Sequence, residues 1–186
     1  MDKTTMMQFR LYYEPETKPA GQFRIHSLGL HERMPPQLLR FTTEGSRILL
    51  MFFHTRAFFN SGEKDECECG KHFIIWSPEQ IRNYGNAGEE WDHSWMVAEG
   101  PALERALSAH RLPLNHPVDA NAETVFENYL SSLLDELSTQ QNQDEYVLEH
   151  LTDLFLYELG RLIQTSGRRI PEAILAAEEF MWKNLD

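Results

Sequence analysis

Residues 71 to 99 read KHFIIWSPEQIRNYGNAGEEWDHSWMVAE. A β-favouring run ends at Ser77-Pro78, a short polar run ends at the Gly88 turn, and Trp91 to Glu99 follows as a third strand. Strand side chains alternate with a period of two, so Trp91, His93 and Trp95 fall on one face. Two indoles flanking an imidazole make a poor solvent surface and a good pocket wall. No catalytic motif accompanies them, which points to a small-molecule cavity in a β-barrel and not to an active site.

Short strands punctuated by turns continue toward the N-terminus. Phe23 to Leu30 reads as one strand, broken by Met34-Pro35-Pro36. Arg47 to Phe59 is apolar and long enough for one bent or buried strand. Asn60 to Lys64 has hairpin composition, so Cys67 to Cys69 pairs back on it. Such spacing suggests a sandwich or barrel. Pro101 opens a short helix through about His110, as proline does at a first helical position.

Beyond residue 118 the texture changes. Ala122 to Leu137 and Asp144 to Gln164 carry apolar residues at spacings of three and four, predicting two helices joined at Ser138 to Asn142. Their stripes need cover from the barrel or from a second subunit. Leu148, Leu151, Leu154 and Phe155 are the candidate contacts of a symmetric homodimer. The alternative, a stripe packed wholly within one subunit, stays open. Thr165 to Arg169 reads as a linker, and Ile170 to Asp186 as the first helix of a further domain. The expected division is a barrel over 1–118, a helical dimerisation region over 119–166, and a linker with a truncated DNA-binding domain over 167–186.

Composition excludes several classes. Seventeen Lys and Arg against twenty-nine Asp and Glu give a net charge of −12, which repels phosphate backbones and anionic membranes. No apolar run reaches the roughly 20 residues of a membrane span, and the N-terminus lacks a signal peptide's apolar segment. Cys67 and Cys69 are the only cysteines and read as free thiols of a cytoplasmic protein. Among eight histidines there is no His-x-His pair, and Cys67-x-Cys69 with His72 is a weak metal signal. Nucleophile elbows and phosphate loops are missing. The expectation is no enzyme, no metal and no cofactor.

The segments Pro35-Pro36 to Arg40, Gly70 to Pro78, Tyr84-Gly85 and Trp91-Asp92-His93-Ser94-Trp95, with the order of elements, resemble the N-terminal regulatory part of AraC-type bacterial transcription regulators. The resemblance covers nearly the whole chain, and its motif matches are confined to those segments. It implies an α+β fold: a cupin-like double-stranded β-helix (jelly-roll) barrel followed by a pair of antiparallel α-helices. It implies a small-molecule effector, a carbohydrate or sugar acid, in the barrel, a homodimer, and DNA binding only through a missing C-terminal domain. Carried over by position, the effector contacts are Arg40, Tyr84, His93 and Trp95. An N-terminal arm of the family kind does not match.

The chemistry of those residues suits a sugar. An indole covers an apolar CH face, while imidazole, guanidinium and phenol bond to hydroxyls; Arg40 would equally hold a carboxylate. Against this stand plainer readings: Trp91 and Trp95 as core, His93 as a satisfied structural histidine, Arg40 as a surface or salt-bridging residue. The rival functions are a metal-dependent cupin enzyme and a ligand-free dimerisation scaffold.

Overall fold

The computed structural model describes residues 10–13, 22–42, 45–60, 67–78, 80–138 and 144–166. The expected linker and terminal helix at 167–186 lie outside them. Among the described residues ten strands and three helices follow in order: β1 (Arg10–Tyr13), β2 (Arg24–Met34), β3 (Gln37–Thr42), β4 (Ile48–Phe53), β5 (Ala57–Asn60), β6 (Cys67–Cys69), β7 (His72–Trp76), β8 (Ile81–Asn86), β9 (Trp91–Glu99), α1 (Pro101–Ala109), β10 (Val118–Asp119), α2 (Glu123–Ser138) and α3 (Glu145–Ser166).

The strands form two antiparallel sheets. Six pair in the order β1-β2-β9-β4-β7-β10, here sheet A, and four in the order β3-β8-β5-β6, here sheet B. The two face one another as a cupin-like barrel. The α-helices cover the outer side of sheet A.

β4 explains this layering. Its six residues, ILLMFF, are all buried. Leu49, Met51 and Phe53 point into the barrel with Ile74, Trp76, Trp91, Trp95 and Val97. Ile48, Leu50 and Phe52 point the other way, into a core shared with Phe73, Ile75, Met96 and the helices. A strand apolar on both faces needs cover on both faces. The helices supply the second cover: Phe126 of α2 is fully buried, with ring centroids 5.1 Å from Phe52, 5.8 Å from Phe73 and 4.9 Å from Phe155 of α3. This core runs without interruption from the barrel strands into the helices.

The structure departs from the sequence reading in two strands. Arg47 to Phe59 is not one bent strand: the polar trio His54-Thr55-Arg56 ends β4 and sends β5 into the other sheet. β2 does not stop near Leu30 but continues to Met34. A bulge between Gly29 and Glu32, with His31 in left-handed backbone (φ 55°), re-aims the strand. The expected return of Cys67–Cys69 onto β5 is present. No helix among the described residues is long and apolar enough to cross a membrane.

The expected dimer contacts need correction. Phe155 is fully buried and Leu148 nearly so, both inside the core between α2, α3 and sheet A, while Leu151 packs against its edge. The stripe is wider than one partner needs because α3 packs against both α2 and α1. Of the four residues only Leu154, 51% exposed, is open to a second copy.

Candidate functional site

Odd-numbered residues of β9 face the barrel interior and even-numbered ones face the helices, so alternation alone carries Trp91, His93, Trp95 and Val97 inward. A cavity of about 190 Å³ opens beside them. It is lined by Tyr13, Ser27, Glu32, Met34, Leu39, Phe41, Leu49, Met51, Tyr84, His93, Trp95 and Val97. That is smaller than the roughly 300–1,000 Å³ of drug-sized pockets. Two other concavities are larger, a groove between α1 and α3 and a groove on the outside of sheet B, but neither gathers several aromatic rings around a polar group.

Trp95 organises the wall. Its indole N–H donates to Glu32 Oε2 at 2.6 Å, and Tyr13 tilts over it with centroids 6.2 Å apart. The indole lies directly against Gly29, where an added Cβ would sit 2.6 Å from Nε1. Glycine there leaves the space the ring occupies. Behind it, His93 stacks on Trp91 at 4.5 Å, and Trp91 meets Tyr84 edge-on at 6.0 Å.

The polar groups have defined states. The His93 Nδ1–H donates to the Glu32 carbonyl at 3.1 Å. Burial pushes the His93 pKa down to about 4, so the imidazole is neutral near pH 7. With its proton on Nδ1, its Nε2 is an acceptor, and it lies 3.6 Å from the acceptor Glu32 Oε2. Two acceptors side by side call for a donor between them. Burial pushes Tyr84 up to about 12, assisted by the negative charge of Glu32, so the phenol keeps its proton. Glu32 is the one carboxylate among the lining residues.

Three of the four sequence-derived contacts, Tyr84, His93 and Trp95, are thus brought together. Arg40 is not. On β3 it alternates with Leu39 and Phe41, which line the cavity, so its own side chain is exposed on the outer face of sheet B. Pairing with Asn83 of β8 fixes this register. Sequence reasoning missed Glu32, Tyr13 and Leu39. The Leu39-x-Phe41 alternation was a usable signal; Glu32 was hidden by the bulge that precedes it.

No protein-family model and no curated protein sequence matches this chain. Solved structures are similar in outline. The AraC-like transcriptional activator CuxR is 11% identical, with 80% of this chain and 61% of that chain covered and a TM-score of 0.43. An HTH_3 family transcriptional regulator from Vibrio cholerae is 11% identical, over 42% of this chain and 51% of that one, with a TM-score of 0.34. The Cupin_2 domain of an XRE family transcriptional regulator from Enterobacter cloacae is 7% identical, over 48% and 94%, with a TM-score of 0.34. The chain spans less than two thirds of the length of the first two. Likeness of this degree carries no argument about what this chain does.

Proposed function

We propose that this chain is the effector-sensing part of a cytoplasmic transcription regulator of AraC type, a binder and not a catalyst, whose barrel takes an uncharged, hydroxyl-rich molecule of monosaccharide size. One observation carries the reading: Trp95 and Glu32 are bonded to each other at the wall of a small aromatic cavity, beside a neutral His93 whose free nitrogen accepts. Indole and phenol rings pack on the CH face of a sugar ring, and adjacent acceptors take its hydroxyl protons. With Glu32 inside and Arg40 outside, a sugar acid would meet a like charge, so the ligand class narrows to neutral sugars.

Coupling to the rest of the regulator would run through β1. Tyr13 stands at the cavity, while Arg10, three residues away, donates to Ser131 Oγ of α2 at 3.0 Å and pairs with Asp135. A ligand that binds one arrangement of β1 better than another would bias how α2 is held. DNA contact belongs to a segment beyond the described residues.

A thermal-shift panel of neutral monosaccharides and the corresponding uronic acids tests this. At a ligand concentration 100 times the dissociation constant the folded state gains about 2.7 kcal/mol, which reads as a rise of several degrees. We expect at least one neutral sugar to give it, the uronic acids not to, and Trp95→Ala to abolish it. A shift that survives in Trp95→Ala places the ligand elsewhere.

Dimerisation would use what α3 leaves exposed. Tyr146, Leu154 and Tyr157 are 69%, 51% and 47% exposed and recur along one stripe of the helix. Leu154→Glu is expected to convert a dimer to a monomer in sedimentation while changing the unfolding free energy by less than about 0.5 kcal/mol, as exposed substitutions do. An unchanged mass removes this stripe from the interface.

A further inference from the structure

The strands that wall the cavity carry a second polar cluster on their opposite, helix-facing side. His31 comes from the β2 bulge, His54 from the residue after β4 and Asp92 from β9, with Glu123 and Glu127 of α2 closing over them. His31 and Asp92 approach at 3.3 Å, His31 and Glu127 at 3.4 Å, and His54 and Glu123 at 3.3 Å. The imidazoles of His31 and His54 lie against each other, centroids 4.1 Å apart. Ser94 accepts from the His31 backbone N–H at 3.0 Å and contacts His54 Nε2 at 2.7 Å.

We propose that His31, His54 and Asp92 bind a first-row divalent cation of the zinc or cobalt type at the seam between the barrel and α2, with Glu127 beside them to complete its ligands. This site is distinct from the cavity and does not depend on the proposed effector. Three observations support it independently. One ligand atom from each of the three residues lies within 4.8 Å of the others. Four-coordinate zinc with bonds of about 2.0–2.2 Å spaces its ligand atoms by roughly 3.3–3.6 Å, so the ligand atoms need only draw closer by about an ångström, with the two rings reoriented toward one ion. Asp92 Oδ1 is buried with no hydrogen-bond partner among the described residues, a cost that a cation would remove. Charge also favours it: three carboxylates converge, and the fixed cation that contacts them among the described residues, Lys71, is engaged by Glu123.

The donor set selects the ion. Two imidazoles and a carboxylate suit zinc, cobalt or iron, whereas calcium and magnesium take oxygen ligands. To aim at one ion the rings must leave their stack, which disturbs the His54 contacts to Ser94 and Glu123. A bound cation would therefore change how α2 sits on sheet A.

The test is titration of the metal-stripped chain with Co²⁺ and Zn²⁺, read by visible absorption and by melting temperature. The expected result is one equivalent of Co²⁺ with ligand-field bands of nitrogen and oxygen donors, displaced by Zn²⁺, and a higher melting temperature with either ion. Asp92→Asn and His31→Gln should each weaken binding by roughly tenfold or more, while His150→Gln on the exposed face of α3 should not. Near-UV circular dichroism checks that the variants fold. If they do not, the wild-type cobalt spectrum decides alone. Absence of stoichiometric bands, equal affinity in both folded variants, or a thiolate-to-cobalt charge-transfer band that disappears in Cys67→Ser would each overturn the proposal.

Discussion

Phe126→Ala is expected to lower the unfolding free energy by about 3–5 kcal/mol, at the upper end for a core truncation. The phenyl ring is fully buried and touches Phe52 and Phe73 of sheet A together with Phe155 of α3, so its removal opens a void where three elements meet. Neighbours on a β-sheet cannot close in easily, because their backbones are fixed by the ladder; a cavity that does not collapse costs the most. Urea denaturation should show a lower midpoint with an unchanged slope, which is the signature of lost stability without a change in the unfolded chain. A loss below about 1 kcal/mol would mean that the site relaxes freely and that α2 is not seated on sheet A as described.

Gly85→Ala should cost about 3 kcal/mol, from unfavourable backbone and overpacking together. Gly85 lies in the middle of sheet B, opposite Leu38 on one side and Phe58 on the other. Its φ of 128° is one that L side chains rarely adopt, and an added Cβ would meet the Gln37 carbonyl oxygen at 2.4 Å and Trp91 at 3.1 Å. Backbone oxygen cannot swing aside as a side chain can, so β3 would have to part from β8. β3 brings Leu39 and Phe41 to the cavity and β8 brings Tyr84, so the variant should lose effector binding as well as stability. Parallel denaturation and ligand titration check this. A variant of normal stability would show that the strand accommodates a side chain at this φ.

How much of this was legible in the sequence depends on whether alternation or a local irregularity decided the outcome. Trp91, His93 and Trp95 obey an uninterrupted period of two, and all three face inward. The helices announced themselves by spacing, and the need for cover was visible in ILLMFF, a run with no polar side. Arg40 failed because the resemblance placed it by position, whereas the chain's own Leu39-x-Phe41 pattern puts position 40 outside. Glu32 could not be read at all: one left-handed residue, His31, shifts the register, so counting from Leu28 gives the wrong face. Two of the four expected dimer residues lie in the core for another reason. Leu148 and Phe155 are as apolar as an interface demands, but one-dimensional periodicity cannot tell an internal partner from an external one.

The most direct test of the sensor reading is a crystal structure of the protein soaked with the neutral monosaccharide that gives the largest thermal shift. The account predicts a sugar ring packed on Trp95 beneath Tyr13, with hydroxyls within hydrogen-bonding distance of Glu32 and of His93 Nε2. A barrel interior closed by Met51 and Leu39, or holding only water while the sugar sits elsewhere, would contradict it.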